Sequence, residues 1–376
     1  MRIAFYCPTV DLSDDTPSGD RRMADLLMAA LRLAGHEVVI ASRLRSYGKD
    51  PDASRLARLE EEASRDRNHL TRRFDDGERA PDLWFTYHPY YKAPDLIGPM
   101  LSQTLAIPYV TAEASFAGKR AAGPWAAWHK ASLPALARAA CHFTFTARDR
   151  EGLLAGGVEQ SAMVDLPPFI ETAPFVTMAG PRLRDRPPHM VCVAMMRGGR
   201  KLQSFRDLAS ALARLGDIDW QLTLYGDGPH RAAVEAAFAV LPAGRIHFAG
   251  RIGAQDLPAA LARADLYVWP GLGEAYGLAY LEAQAAGLPV IAYNSGGVSA
   301  CVDDGQTGLL VGESDDAGFA AAIRSLLQNS ELRDHLGSQA RTMALTKRSL
   351  SVAAERVEAA LSVIVPATPA CRQVMP

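Results

Sequence analysis

"RIAFYC" (Arg2–Cys7), "GDRRMADLLMAALRLAG" (Gly19–Gly35) and "HEVVIAS" (His36–Ser42) follow one another at the start of the chain, and their order decides the fold. The first and third runs are short and apolar, as buried strands are. Between them Met23, Leu27, Ala30, Leu31 and Ala34 recur at helical spacing. Gly35 stands where a helix ends with glycine in the left-handed conformation. Strand, helix and strand make a βαβ unit, and repeating it builds a parallel, doubly wound α/β sheet.

The pattern repeats. Strands are expected at "LWFTYH", "PYVTAE" and "HFTFTA", while the charged stretch Asp50–Arg79 reads as surface helix and loop. "FVTMAGPRLRDRPPHM" (Phe175–Met190) is rich in proline and basic residues and reads as a linker. The alternation then restarts with "MVCVAMM", "WQLTLYG", "IHFAG", "DLYVWP" and "PVIAYN" as strands and apolar-periodic helices between them. Two Rossmann-like domains are therefore expected to face each other across a cleft. Residues 1–178 would form the first and 179–346 the second. A C-terminal helix in 347–376 would carry Leu350, Ala353, Val357, Leu361 and Ile364 on one face and cross back to the first domain.

Composition narrows the function. With 376 residues, 48% of them apolar, the chain is long enough for two cores. Lys plus Arg number 40 and Asp plus Glu 42, so no basic field points to nucleic acid. Five scattered cysteines form no CxxC or Cys/His cluster and read as reduced, inert thiols. No apolar run reaches the roughly 18 residues of a spanning helix, and the first ten residues lack a signal-peptide layout. A soluble cytoplasmic protein is the expectation, with the basic clusters "RLRDRPPH" and Arg72–Arg73 leaving room for peripheral membrane contact.

In open α/β sheets ligands bind outside the carboxyl ends of strands, which singles out four loops. Gly19 opens the first helix, where backbone N–H groups can meet a phosphate, although there is no GxGxxG. "RGGRK" sets Arg197 and Lys201 around two glycines. Fixed cations of this kind stabilise a leaving diphosphate. "YGDGPH" places Gly226 and Gly228 between a strand and a helix. "GLGEAYGLAYLE" puts Glu274 in a loop, Tyr276 beside it, Gly277 and Leu278 at a helix N-terminus, and Glu282 one turn further on the same face. Two acids straddling an anion site are best explained by hydroxyl recognition. The DxD at Asp217–Asp219 precedes its strand and lies at the wrong end of the sheet for a metal that holds a diphosphate.

The stretch "ADLYVWPGLGEAYGLAYLEAQAAGLPVIAYNSGGVSACVDDGQTGLLV" resembles glycosyltransferase family 4, the retaining GT-B glycosyltransferases. It has that family's two glutamates with seven residues between them, Glu274 and Glu282, its "SGG" turn and its "DGQTGLLV" segment. The "GH" at Gly35–His36, with Arg197 and Lys201, fits as well. The resemblance is dense in the second half and looser in the first. It implies a nucleotide-diphosphate sugar donor, a UDP- or GDP-sugar, in the second domain, and a carbohydrate or lipid-linked acceptor in the first. It implies that Glu274 holds the donor sugar, Glu282 the ribose, Arg197 and Lys201 the diphosphate, and Arg251 and Ile252 the base, with no metal or other cofactor required. It further implies retention of anomeric configuration through same-face attack assisted by the leaving phosphate.

One departure stands out. Where the family often has a histidine after "PYVTAE", this chain has Glu113. Glu113 is therefore a candidate catalytic or acceptor-binding group, as is His88 in "YHPYYK" and, behind it, His129. A glycoside hydrolase would need two carboxylates across one bond, and a GT-B phosphorylase an aldimine-forming lysine, for which no motif is present. A GT-B nucleotide-sugar epimerase, which needs no acceptor, and a non-catalytic nucleotide-sugar-binding protein are the remaining alternatives. The latter should have lost one of Arg197, Lys201, Glu274 or Glu282.

Overall fold

The computed structural model describes residues 1–14, 18–177 and 186–365. The chain divides into two compact units, residues 1–166 with those from 353 onward, and residues 167–352. Residues 178–185, at the centre of the expected linker and including the first half of "RLRDRPPH", lie outside the described residues, as does Cys371.

The first unit runs β1 (Arg2–Tyr6), α1 (Gly19–Leu33), β2 (Glu37–Ile40), α2 (Ala53–Asp75), β3 (Leu83–Tyr87), α3 (Gly98–Thr104), β4 (Tyr109–Ala112), α4 (Ala126–Arg138), β5 (Cys141–Thr144), α5 (Ala147–Ala155) and β6 (Met163–Asp165). The six strands are parallel in the order β2-β1-β3-β4-β5-β6. Helix α1 starts as its sequence requires: the Ser18 hydroxyl accepts from Arg21 N, and Gly35 turns the chain at φ 87°. The sheet is buried on both faces, so every residue of β3, β4 and β5 is buried and the strands are mostly apolar rather than alternating. Phe5, Phe85 and Phe143 stack in a row across it, with centroids 5.6 and 5.9 Å apart. Such buried rings contribute about 1.5–3 kcal/mol each.

The second unit holds α6 (Ala173–Val176), β7 (His189–Val193), α7 (Arg200–Ala213), β8 (Gln221–Tyr225), α8 (Arg231–Phe238), β9 (Ile246–Gly250), α9 (Leu257–Ala262), β10 (Leu266–Val268), α10 (Leu278–Ala285), β11 (Val290–Tyr293), β12 (Gly308–Val311), α11 (Asp316–Gln328) and α12 (Ser330–Lys347). Its six strands are parallel in the order β12-β11-β10-β7-β8-β9. Helix α13 (Leu350–Ile364) begins here, and from Ala353 onward it belongs to the first unit. There Glu358 lies 2.8 Å from His36 Nε2, and Arg356 donates to the Asp165 carbonyl at 3.2 Å. Among the described residues no helix is long and apolar enough to cross a membrane.

The strand orders fix where a ligand can sit. A doubly wound sheet opens where consecutive crossovers leave in opposite directions. In the first unit that point lies between β1 and β3, and in the second between β7 and β10.

Candidate functional site

In the second unit the switch point carries the residues expected to hold a donor. Arg197 follows β7, and Lys201 is in the first turn of α7. Glu274 lies in the loop that leaves β10. Lys201 Nζ donates to Glu274 Oε1, and the Trp269 indole donates to the same oxygen at 3.1 Å. The Lys201 ammonium also stands 5.6 Å from the Trp269 ring centre. Lysine and glutamate are only 30% and 18% exposed, so water screens their pairing weakly. Expected as separate diphosphate and sugar ligands, the two side chains touch each other here.

The Glu274 loop is held from several sides. Leu272 N donates to Ser204 Oγ at 3.0 Å, and Gly273 N to Ser295 Oγ at 2.9 Å. Ser295 in turn donates to Glu313 Oε2 at 2.7 Å. Gly296, from the "SGG" turn, lies at φ 62°, and a Cβ there would sit 2.1 Å from the Glu274 carbonyl oxygen. That carbonyl accepts from Gly297 N at 3.1 Å. The glycine therefore lets two loop backbones meet and so sets where Glu274 stands. Trp269, Ser204, Ser295 and Glu313 were not singled out from sequence; single polar or aromatic residues separated by tens of positions carry no motif.

Gly277, at φ 84°, caps α10, and Leu278 is its first residue; Tyr276 is buried just before it. Glu282 lies one turn along α10 and is half-buried. Gly226 has a steric reason to be glycine, since a Cβ would approach the Ala194 carbonyl oxygen to 1.9 Å. The 226–228 turn thus lies directly on the backbone that leaves β7, with Met196 N donating to Asp227 O at 3.0 Å. Arg251 and Ile252 follow the end of β9, on the same side of the sheet. Asp217 and Asp219 lie at the amino end of β8. Asp217 is held by two nitrogens of Arg324 at 2.6 and 2.8 Å, and Asp219 lies 3.9 Å from Arg245.

The first unit gathers a different set at its own switch point. Gly19 is exposed and is the first residue of α1, and Asp20 follows it. His88 comes directly after β3 and Glu113 directly after β4. His88 N donates to Ala112 O at 2.8 Å and Glu113 N to Phe143 O at 2.9 Å, so each makes one more sheet bond before the chain turns. Both are in the left-handed region, at φ 58° and 54°, where a non-glycine residue is strained. His88 Nδ1 is 3.5 Å from Asp20 Oδ1, and the ring stacks on Tyr90 at 4.9 Å. Tyr87 Oη donates to Glu113 Oε2 at 2.9 Å.

The titration of this group follows from its surroundings. Burial works to lower the His88 pKa, but Glu113, Asp20 and Asp149 outweigh it and raise it to about 9. Burial raises Glu113 to about 7, opposed by His88 and the Tyr87 hydroxyl and reinforced by Asp149 and Asp20. His129 is buried in α4 with its ring edge-on to Phe116 and is not part of this group.

Residues 187–329 match the family described as glycosyl transferases group 1. That stretch lies within the second unit. Among its relatives, a sulfoquinovosyl transferase of Arabidopsis thaliana is 34% identical over 142 residues, 37% of this chain and 27% of its own length. A GDP-mannose-dependent phosphatidylinositol monomannoside mannosyltransferase of Mycolicibacterium smegmatis is 32% identical over 218 residues, 54% of this chain and 57% of its own. The chain thus spans between about a quarter and just over half of the length of those relatives. Among solved structures, Anabaena HepE in complex with UDP superposes with a TM-score of 0.70 at 15% identity, over 96% of this chain and all of its own. That likeness concerns the fold, which is GT-B.

Proposed function

We propose that the protein is a retaining glycosyltransferase that moves a sugar from a nucleotide-diphosphate donor to a hydroxyl of a carbohydrate or lipid-linked acceptor, without a metal. The observation that carries this reading is the Lys201–Glu274 pair at the β7/β10 switch point, between the N-termini of α7 and α10. An incoming diphosphate competes with Glu274 for the Lys201 ammonium. Once Lys201 turns to phosphate, Glu274 is free to accept hydrogen bonds from sugar hydroxyls. The helix N-termini add unpaired N–H groups and positive potential on the same side of the sheet. Glu282 binds the ribose, Arg251 and Ile252 face the base, and Arg197 reinforces Lys201.

The acceptor hydroxyl attacks the anomeric carbon on the face the diphosphate leaves. The carbon–oxygen bond to the diphosphate breaks with its electron pair on the leaving oxygen, which takes the hydroxyl proton. Cations fixed in the protein stabilise that developing charge, while Asp217 and Asp219 are tied into ion pairs at the opposite sheet end. HepE, crystallised with UDP, and the GDP-mannose-dependent relative support a UDP- or GDP-sugar donor. The relative's phosphatidylinositol acceptor supports a lipid-linked one here. A cavity of about 700 Å³ in the first unit, where Arg43, Arg45, Arg65 and Arg73 outnumber the acids Glu62 and Asp66, supports contact with an anionic headgroup at a membrane surface.

The test is thermal stability with UDP, GDP, ADP and dTDP in excess chelator, for wild type and Lys201→Ala. A nucleotide at a hundred times its Kd adds about 2.7 kcal/mol. One nucleotide is expected to stabilise wild type and not the variant. No response from any of them overturns the donor assignment.

A further inference from the structure

We propose that Glu113 and His88 form the acceptor-hydroxyl site of the first unit: Glu113 accepts the hydrogen bond of a neutral sugar or polyol hydroxyl, Tyr87 holds the Glu113 carboxyl group, and Asp20 positions His88. This rests on the transferase reading for its place in the reaction, but not for the binding it asserts.

The backbone is the first ground. His88 and Glu113 follow adjacent parallel strands, both at positive φ, and each is anchored by one last sheet hydrogen bond. Left-handed backbone in a non-glycine residue is costly and persists where the surroundings impose it, most often at functional sites. Two such residues side by side at the topological switch point present two side chains to the position where α/β sheets bind ligands.

Charge is the second ground. Facing His88 are Asp20 from α1, Glu113 from the end of β4, Asp149 from α5, and Tyr90 from its own loop. Thr9, from the loop after β1, and Arg45 act on Asp20. Three carboxylates surround one imidazole, so the site repels an anionic group and favours a hydroxyl that donates. Asp149 is committed elsewhere, because it closes the capping box of α5. Asp20 lies behind the imidazole at ion-pair distance. Glu113 is 7% exposed, and the Tyr87 hydroxyl holds one of its oxygens. A buried carboxyl group pinned by a tyrosine keeps a defined direction for a further hydrogen bond. The Tyr90 ring, stacked on His88, supplies an apolar face on which a sugar ring can lie.

The experiment follows the histidine side-chain resonances of the full chain by NMR. Methyl α-D-glucopyranoside serves as the neutral probe and glucose 6-phosphate as its anionic counterpart. In wild type the neutral probe is expected to shift the His88 resonances saturably and the phosphate to bind more weakly. Glu113→Gln is expected to weaken the neutral probe at least tenfold. Asp20→Asn should weaken it by a few-fold and also lower the His88 titration midpoint, which an aspartate not paired with His88 would leave in place. If Glu113→Gln does not fold, Tyr87→Phe, which removes only the hydroxyl on Glu113, should weaken the probe by a few-fold. No saturable shift in wild type, equal binding by Glu113→Gln, or an unmoved midpoint in Asp20→Asn overturns the proposal. A failure of every nucleotide to stabilise the protein would instead strike the donor assignment and leave this result intact.

Discussion

In the second unit the chain leaves β10 through Gly271 and Gly273, at φ 67° and 63°; in the first it leaves β3 and β4 through His88 and Glu113, at 58° and 54°. The backbone requirement is the same, and the residues chosen are opposite. Glycine adopts that conformation at no steric cost, so the second unit can bring loop backbones together and hang its functional groups from them. The first unit puts the functional groups themselves on the strained positions. One site is therefore built of close backbone approach, and the other of stored strain and mutual charge.

The sharpest way to break this contrast is to remove the group that the glycine scaffold presents. Glu274→Gln is expected to lower kcat by roughly 10²–10³, the scale of losing a charge-stabilising group in a transfer site, while affinity for the nucleoside diphosphate changes little. Steady-state kinetics and calorimetry read the two quantities separately. If affinity falls as far as in Lys201→Ala, the division of sugar and diphosphate between the two side chains is wrong.

A smaller effect is expected from the scaffold itself. Gly296→Ala drives a Cβ against the Glu274 carbonyl. Misplacing a reacting group by about 1 Å costs as much as a hundredfold, so a loss of roughly ten- to a hundredfold is expected, without direct contact to substrate. Gly305→Ala is the control: it too has positive φ, 69°, but a Cβ there meets nothing within 4 Å. It should lose stability without losing transfer rate. Equal losses of rate in both would mean that the close approach at Gly296 does not set the position of Glu274.

The first unit's contribution should appear in the pH dependence of stability. His88 is raised from 6.5 to about 9 and Glu113 from 4.5 to about 7. In both cases the folded state binds more protons across the window, so stability falls as pH rises. For Glu113 the fall lies between its ordinary range and about 7; for His88 it continues until about 9. Replacing both groups, in His88→Gln with Glu113→Gln, should flatten the melting temperature over this span relative to wild type. An unchanged slope would mean that the pair is not coupled as its geometry indicates.

These regions also differ in what could be read from sequence. The βαβ alternation was legible because apolar periodicity and glycine stops are local signals, and Gly35 ended α1 where expected. The grouping of Arg197, Lys201, Glu274, Gly277 and Glu282 near strand ends was legible for a related reason: they stand in two short glycine-marked stretches, each tied to a strand end. What was not legible is what holds them. Ser204, Ser295 and Glu313 reach the Glu274 loop across 68, 22 and 18 positions of sequence or through one another, and no pattern announces such pairings. Strand β6 and several helices went unassigned, since a three-residue strand carries too little alternation to count. In the first unit Glu113 stood out only as a departure and His88 only as a histidine in an aromatic loop. Their positive φ, and Asp20 behind them, belong to the folded backbone.

Strain alone does not mark function, and the smallest predicted effect tests that point. Ala106 also has positive φ, 53°, but it is exposed and lies after α3 rather than at a strand end. Its N–H bonds to Gln103 O at 3.2 Å and that of Ile107 to Ser102 O at 3.0 Å, the paired bonds of a Schellman motif. Glycine is the usual residue at that position, as Gly35 is after α1. Alanine there bears the left-handed cost, about 1–2 kcal/mol, with no side-chain group to use it. Glycine also enlarges the freedom of the unfolded chain, which returns part of the gain. Ala106→Gly is thus expected to raise the melting temperature by roughly 2 °C, given the usual scaling of about 2–4 °C per kcal/mol for a unit of this size, with transfer kinetics unchanged. If relieving strain at Ala106 slowed transfer, left-handed backbone would tune the whole unit rather than the two side chains, and the special standing given to His88 and Glu113 would be lost.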